Sequence, residues 1–579
     1  MCMRSTIPDR LSADDTDAVE QGNANVLYLR GLIYHFSLSD LCARVCSNME
    51  LTGKHLIGDT VGAVGQETFQ AFDPSTQAPL EPSFHEATVA EAGMALRLAQ
   101  EAFDPFRSKS PEQRAQFLDT IADEIMALGD ALLERAHQET GLPLARLTGE
   151  RGRAVNQARL FAQVIREGSW VDARIDQAIP DRQPLPKPDV RRMLSPIGPV
   201  VVFGASNFPL AISVVGSDTV SALGAGCPVV VKGHPGHPGV CEMLGRAVQN
   251  AVKKCDLPPG VFSMLQGAGH ELGVALVQHP LTQAVAFTGS LRGGRALFDV
   301  ANGRKEPIPF FGEMGSVNPV FILPGAVAER GDAIAEQYVQ SVTLGVGQFC
   351  TNPGMLIGLK GDALDQLAQK TAEAAGNAAP STMLHQGICK SYDAGLEKLK
   401  MIPGVKSLGM SSTASDSAKT QAACHIFEAD LSTLFAHPEL KEENFGPSSV
   451  FLKGDSAEQL EQAAEGLEGQ LTATIHGTEE DLQTHARLVQ ILQRKVGRLI
   501  FNGFPTGIEV CPSMHHGGPY PSTTHSHFTS IGTASIVRFV RPLCFQGFPD
   551  AALPAELRNQ NERGILRMVD GQFTKDDVK

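Results

Sequence analysis

At 579 residues the chain is too long for one compact domain, and 42% hydrophobic with 20% charged residues gives it ample core and excludes whole-chain disorder. Its 49 basic and 64 acidic residues leave a net charge of −15, which argues against general nucleic-acid or anionic-membrane binding while leaving room for a local anion pocket. The eleven cysteines are odd in number and scattered without CxxC pairs, which fits reduced thiols better than a disulfide or zinc framework.

Residues 1–48 hold three cysteines, no strong periodicity and no secretory signal: Asp9, Asp14, Asp15, Asp17 and Glu20 crowd the first 22 positions. They read as an N-terminal extension outside the fold. The longest uncharged run, Met193 to Ser217, has the length of a membrane span, but Pro196, Pro199 and Pro209 break it into a strand and a turn. A cytoplasmic protein without membrane partners is expected. A helix should start at Ser110, where Pro111 and Gln113 complete a capping box, and run through Phe117, Ile121, Ile125, Leu128 and Leu132 to a stop at Gly141. A second helix over 147–166 carries Arg151, Arg153, Arg159 and Arg166 and precedes Trp170, the only tryptophan. The Pro-rich, charged stretch 175–196 reads as a linker or a projecting hairpin.

From 197 onward the pattern alternates. Apolar runs Val200–Phe203, Pro228–Val231, Val261–Leu265 and Ala284–Phe287 predict buried strands, separated by helices near 210–224, 238–254, 271–279 and 291–302. This predicts an α/β protein with a doubly wound parallel sheet and ligands beyond the carboxyl ends of its strands. A second mixed α/β unit spans about 313–530.

Single residues offer chemistry but no decision. Gly267-Ala-Gly269-His-Glu-Leu-Gly273 is GxGxxxG and not GxGxxG, a weak dinucleotide fingerprint that reads more readily as a tight βα turn. Ser290 in Thr288-Gly289-Ser290-Leu291-Arg292-Gly293-Gly294 can cap a helix whose free N–H groups suit a pyrophosphate, with Arg292 adding charge. Lys232 ends a strand and reads alone as a solvated cation; Cys350 reads alone as a packed thiol, Glu313 as a loop carboxylate, Asn207 as a turn former.

Their order decides. Asn207, Lys232, Gly289-Ser290, Glu313, Cys350 and Glu443-Asn-Phe445-Gly-Pro447 together resemble the aldehyde dehydrogenase superfamily over about residues 50–545. Gly503-Phe-Pro-Thr-Gly507 and His516-Gly-Gly-Pro-Tyr-Pro521 are similar to its 2,5-dioxovalerate (α-ketoglutarate semialdehyde) dehydrogenase branch. Gly204-Ala-Ser-Asn-Phe-Pro209 and Gly347-Gln-Phe-Cys-Thr-Asn352 fit that branch and also the NADP-dependent fatty aldehyde dehydrogenases.

The resemblance implies a Rossmann-type cofactor domain (49–174 and 197–312), an α/β catalytic domain (313–530), a small β oligomerisation arm (175–196 and 531–548) and a C-terminal tail (549–579) in a homodimer or homotetramer. It further implies that Cys350 is the nucleophile, Asn207 an oxyanion donor and Glu313 the base that hydrolyses a thioester to free acid, with no metal required. Lys232, Gly289, Ser290, Arg292, Phe203, Glu443 and Phe445 would bind the cofactor. Pro235 stands where NAD-preferring relatives often carry a glutamate, so NADP is expected over NAD, with NAD possible. On the substrate side Arg159, Phe208 and Cys511 are the candidates, with Arg159 pairing the carboxylate of an α-keto acid aldehyde. Ser513 and His516 lie in the same closing loop without an assigned role. The rivals are a broad or fatty aldehyde dehydrogenase, a cysteine hydrolase using Cys350 and a histidine, and an inactive nucleotide-binding scaffold.

Overall fold

The structure, a computed structural model, describes residues 50–579; the expected extension 1–48 lies outside the described residues. Runs of β-branched and aromatic residues flanked by glycine or proline form five parallel strands: Val200–Phe203, Val229–Lys232, Phe262–Leu265, Ala284–Thr288 and Phe310–Glu313. Numbered in that sequence order, they stand 5-4-1-2-3 across the sheet, and His55–Ile57 and Thr60–Gly62 extend its far edge antiparallel. The order reverses between Val200–Phe203 and Ala284–Thr288, so a crevice opens beyond Phe203 and Thr288, as expected of a doubly wound sheet.

A second seven-stranded sheet follows the order 406–410, 425–430, 448–454, 355–359, 320–322, 470–476, 496–501. Alternate residues of its strands enter two different cores: Phe321, Ile357, Phe427 and Leu452 on one side, Ile322, Leu356, Ile426 and Phe451 on the other. A strand buried on both faces must be apolar throughout, which explains the uninterrupted runs.

Three expectations change. The helix from Pro111 is interrupted: Pro111–Ala127 is followed by Gly129–Thr140, because Gly129 takes a left-handed φ of 60° that an ordinary helix cannot absorb. Its capping box is present as read, with Gln113 N–H donating to Ser110 Oγ at 3.2 Å. The helix near 210–224 is shorter, Ser217–Ala225. The stretch 549–579, expected as a tail, joins a five-stranded sheet: Val540–Gln546, Val190–Pro196, Arg174–Asp176, Arg567–Val569 and Gln572–Thr574. The ambiguous 175–196 stretch is therefore a hairpin, closed over a small core of Val171, Ile175, Leu553 and Leu557. Among the described residues no helix is long and apolar enough to cross a membrane.

One buried ion pair ties these parts together. Asp218, in the first turn of Ser217–Ala225, accepts from Arg538 at 2.7 Å, and both side chains are buried. Burial pushes the Asp218 carboxyl up, and the Arg538 charge pulls it back only in part. Removing one partner strands the other charge out of water. Asp218→Ala should therefore lose about 3–5 kcal/mol of stability and lower the thermal midpoint in a calorimetric scan. An unchanged midpoint would show that the pair carries no net weight.

Candidate active site

The strand Phe310–Glu313 delivers Glu313 to the rim of the first sheet, and the turn after Leu344–Gly347 delivers Cys350 opposite it. That turn is tight. Gly345, Val346 and Gly347 have φ of 56°, 60° and 66°, so a β-branched valine is held in the left-handed region, an arrangement typical of functional sites. A Cβ on Gly347 would lie 2.2 Å from the Gly446 carbonyl oxygen, so the turn rests on the backbone that follows Phe445. Asn318 clamps it from beneath, its Nδ2 donating to the carbonyls of Cys350 at 2.9 Å and Asn352 at 3.0 Å.

Cys350 Sγ lies 3.5 Å from His516 Nε2, and the same nitrogen lies 2.9 Å from Glu313 Oε1. Ser530 Oγ donates to the other Glu313 oxygen. The sulfur, the imidazole nitrogen and a carboxylate oxygen all fall within 4.8 Å of one another. Burial alone would raise the Glu313 pKa; the pairing with His516 and the hydrogen bonds of Ser530 and Cys350 outweigh it, and the group is held below the ordinary carboxylate range. Burial pushes the Cys350 thiol well up, and the adjacent Glu313 charge pushes it further. The resting sulfur is a thiol.

Asn207 follows the strand Val200–Phe203. Its backbone carbonyl accepts from Arg146 at 2.7 Å, and its Nδ2 donates to the Gln348 carbonyl at 3.0 Å, which leaves the second amide hydrogen free. Glu150, buried on the Leu144–Glu167 helix, accepts from the N–H groups of Leu210 and Ala211 at 2.8 and 3.0 Å and so fixes the segment after Asn207. Phe208 packs edge-on against Phe349, ring centres 5.5 Å apart, next to both Asn207 and Cys350.

Three helices start at the carboxyl edge of the first sheet, and their N-termini differ. Glu139 takes the N–H groups of Gly239 and Val240 at 2.8 and 2.9 Å, closing Pro238–Lys254. Glu86 accepts from Ala268 at 2.9 Å and Gly269 at 3.4 Å, in the turn that leads into His270–Gln278. The Gly267–Gly269 turn thus holds a carboxylate of the chain itself. At Leu291–Asn302 no carboxylate stands at the helix start, and the N–H groups of Leu291 and Arg292 have no acceptor among the described residues. There Ser290 Oγ accepts from Gly293 at 3.2 Å, Gly289 N–H is taken by the Glu313 carbonyl, and Arg292 stands exposed. Phe203 and Phe287 line the crevice behind it, ring centres 6.2 Å apart. This open N-terminus, with its positive dipole end, fits a pyrophosphate. Lys232 is half-buried, and burial lowers it to about 8. Glu443 and Phe445 line a shallow recess with Ser316, Gly347 and Asn352. Glu443 is exposed at that recess, and the protein packed around its carboxyl, which thins its hydration, pushes it up to about 8. Such a carboxylate suits sugar hydroxyls, so the residues present fit a dinucleotide.

Arg159 is not at this site. It points outward and pairs with Asp123 at 3.1 Å, with nearly half of its side chain exposed. At about 3.6 residues per turn it lies a third of a turn out of phase with Arg153, whereas Arg146 and Arg153, two turns apart, share the inner face. Cys511 is half-buried in a turn, and no side-chain contact joins it to Cys350. The residues that the sequence left without a role are His516 and Arg153. His516 stood inside a quoted motif, and Arg153 was distinguishable from Arg159 only by helical phase.

A model of the aldehyde dehydrogenase family matches residues 61–386. A protein of Azospirillum brasilense named alpha-ketoglutaric semialdehyde dehydrogenase 2 is 50% identical over 90% of this chain and 100% of its own length. One of Acinetobacter baylyi named alpha-ketoglutaric semialdehyde dehydrogenase is 45% identical over 91% and 99%. Among solved structures, the NAD+ complex of a Bacillus cereus aldehyde dehydrogenase superposes with a TM-score of 0.73 at 20% identity, over 87% of this chain and 98% of that one. An aldehyde dehydrogenase C mutant of Pseudomonas syringae, solved with NAD+ and octanal, gives 0.71 at 20% identity, over 86% and 98%. At that identity the likeness shows the fold.

The electrostatics of the triangle can be read on the sulfur. Alkylation by iodoacetamide follows the thiolate fraction, so labelling of Cys350, followed by peptide mass spectrometry, should be slow at neutral pH and quicken as pH rises. Glu313→Gln removes the neighbouring negative charge that holds the thiol up, so it should speed labelling at pH 7 by about tenfold for each unit by which the pKa falls. An unchanged or slower rate would contradict the charge coupling.

Proposed function

The chain belongs to the aldehyde dehydrogenase family, and from that premise we propose that it oxidises 2,5-dioxopentanoate (α-ketoglutarate semialdehyde) to 2-oxoglutarate, with NADP preferred over NAD. The observation that carries the chemistry is the convergence of Cys350, His516 and Glu313 beside the free amide hydrogen of Asn207. The names of the two near-full-length relatives support the choice of substrate.

In this reading Cys350 Sγ bonds to the aldehyde carbon, and the thiol proton passes to the His516–Glu313 pair. The oxyanion forms between Asn207 Nδ2 and the Cys350 N–H, which has no other partner; loss of one such donor costs about 3 kcal/mol of barrier. The bound nicotinamide supplies the acceptor for the hydride that leaves the carbon. A thioester on Cys350 results. Once that first proton has passed on to solvent, Glu313 takes a proton from water, whose oxygen displaces the sulfur as thiolate and releases the free acid rather than an acyl-coenzyme A. The pyrophosphate would lie on the Ser290 helix start, Lys232 and Arg292 near the adenosine end, and Glu443 and Phe445 at the nicotinamide ribose and ring. Pro235 in place of a carboxylate removes repulsion against a 2′-phosphate, and Lys232 attracts it.

The Cys350–His516 contact alone would also suit a thiol hydrolase, but the open helix start beside it has no use in hydrolysis. A cytoplasmic setting accords with the eight described cysteines being free thiols. The sheet of the arm, with exposed Phe548 and Phe573, supports a homodimer or homotetramer.

An absorbance assay for the reduced nicotinamide, run with 2,5-dioxopentanoate and each cofactor, tests the reading. Catalysed reduction should require the sulfur, so Cys350→Ser should lose at least about 10³-fold in kcat, on the scale of losing any acylated nucleophile. The kcat/KM should be higher with NADP. Pro235→Glu should reverse that order; equal values for both cofactors in the wild type would remove the preference.

A further inference from the structure

The inner face of the Leu144–Glu167 helix brings a second arginine to Phe208, beside Asn207. The Arg153 guanidinium lies over the Phe208 ring, 5.4 Å from its centre, and Phe208 adjoins Asn207. Its neighbour Arg146 is already spent: it donates to the Asn207 carbonyl and lies over Phe208 and Phe349 at 5.3 and 5.0 Å. Arg153 has no such commitment. Among the described residues it makes no ion pair and no hydrogen bond, and its Nε is buried without a partner.

From the other domain comes Arg498, on the strand Val496–Phe501. Its terminal nitrogens donate to the carbonyls of Pro505 at 2.8 Å and Gly507 at 3.3 Å, which orient the guanidinium without neutralising it. Its Nε, too, is buried and unpartnered. The strand abuts the loop of His516: a Cβ on Gly497 would lie 2.1 Å from the Gly517 carbonyl oxygen. Burial works against the charge of each arginine, and both lie near enough to Cys350 that a thiolate there would support it, joined at Arg153 by Glu150, the exposed Glu509 and Glu313. None of these carboxylates pairs with either guanidinium.

Two half-buried guanidiniums that pair with no carboxylate among the described residues, both near Cys350, are costly unless an anion completes them. The reaction proposed above provides one, since the carboxylate of 2,5-dioxopentanoate sits four bonds from the carbon that Cys350 would attack. We propose that Arg153 and Arg498 together bind the carboxylate of the substrate and set the preference for an acidic semialdehyde over an uncharged one. The inference rests on the reading of the substrate in the preceding section. It moves the anion contact from Arg159 to the residue one third of a turn away that faces inward.

The test compares 2,5-dioxopentanoate with pentanal, which has the same number of carbons and no charge. In Arg153→Met the ratio of the two kcat/KM values should fall by about 10- to 100-fold, the weight of a hydrogen bond to a charged group. Most of that fall should lie in KM for the acid, and Arg498→Met should act in the same direction. Glutarate, an unreactive dicarboxylate, should inhibit pentanal oxidation competitively in the wild type and much more weakly in each variant. An equal loss on both substrates would overturn the proposal, because it would assign the arginines to the thiolate or to packing. Should a Met variant lose pentanal turnover altogether, Arg153→Lys and Arg498→Lys keep the charge and lose the two-pronged geometry. A drop in the substrate ratio there supports the anion site, and an unchanged ratio with unchanged glutarate inhibition overturns it. A wild-type enzyme that prefers pentanal would instead refute the reading of the substrate, and glutarate inhibition would still test the arginines.

Discussion

A carboxylate buried against a thiol is the constraint around which the rest is arranged. Isolated in the interior, Glu313 would take up a proton. It stays ionised because His516 and Ser530, both on the 515–530 loop, reach its two oxygens. That loop can come so close only where side chains are missing. A Cβ at Gly497 would strike the Gly517 carbonyl at 2.1 Å, and one at Gly518 would strike that of Gln470 at 2.2 Å. The two sheets are therefore joined at the point where the charge must be held. Arg538, which pairs with Asp218, anchors the chain a few residues beyond Ser530, so a global ion pair and a local protonation state share one segment.

The same economy governs the helix starts. Each helix leaving the carboxyl edge of the first sheet presents free N–H groups and a positive end, and each is a latent anion site. Glu139 fills one of them from within, and Glu86 places its carboxylate in the turn in front of another. The remaining one, at Ser290, lies next to the point where strand order reverses. Site selection in this fold is thus partly a matter of which N-termini the chain satisfies itself. Glu150 plays the related part for Leu210 and Ala211, holding the backbone that follows Asn207, whose amide donates to the turn before Cys350.

Much of this was legible in the residues. Apolar runs between breakers located four of the five parallel strands of the first sheet to within a residue or two, because burial on both faces leaves no polar position to blur their ends. The capping box at Ser110 and the cap at Ser290 are local interactions and were read directly. What could not be read was longer in range. Leu128 continued the apolar period, yet Gly129 breaks the helix, since the left-handed turn is set by packing rather than by the repeat. Gly267–Gly273 had a weak likeness to a phosphate loop, and only a carboxylate 181 positions before Gly267 in sequence, Glu86, shows that its opening turn is occupied. Arg159 and Arg153 are chemically equal on one helix, and phase against a partner that is absent from the local sequence separates them. His516 carried no signal of its own until the fold brought it to Glu313 and Cys350.

The resting charges also bear on how such a site avoids damage. Burial and the Glu313 charge keep the sulfur protonated, and a thiol is a far poorer target for oxidants than a thiolate. Glu443 and Lys232 are likewise moved toward their neutral forms by burial, to about 8 each from opposite directions. Each of these groups stands where a ligand would restore charge: an anion beside Lys232, sugar hydroxyls at Glu443, a carboxylate between Arg153 and Arg498. Filling those positions changes the field at Cys350 as well as occupying space. An anion near the two arginines would by itself weaken their support of a thiolate, so the attack on the aldehyde has to be coupled to proton transfer rather than preceded by it. The Nε2 of His516, within reach of both the sulfur and the carboxylate, is the atom through which that coupling is geometrically available.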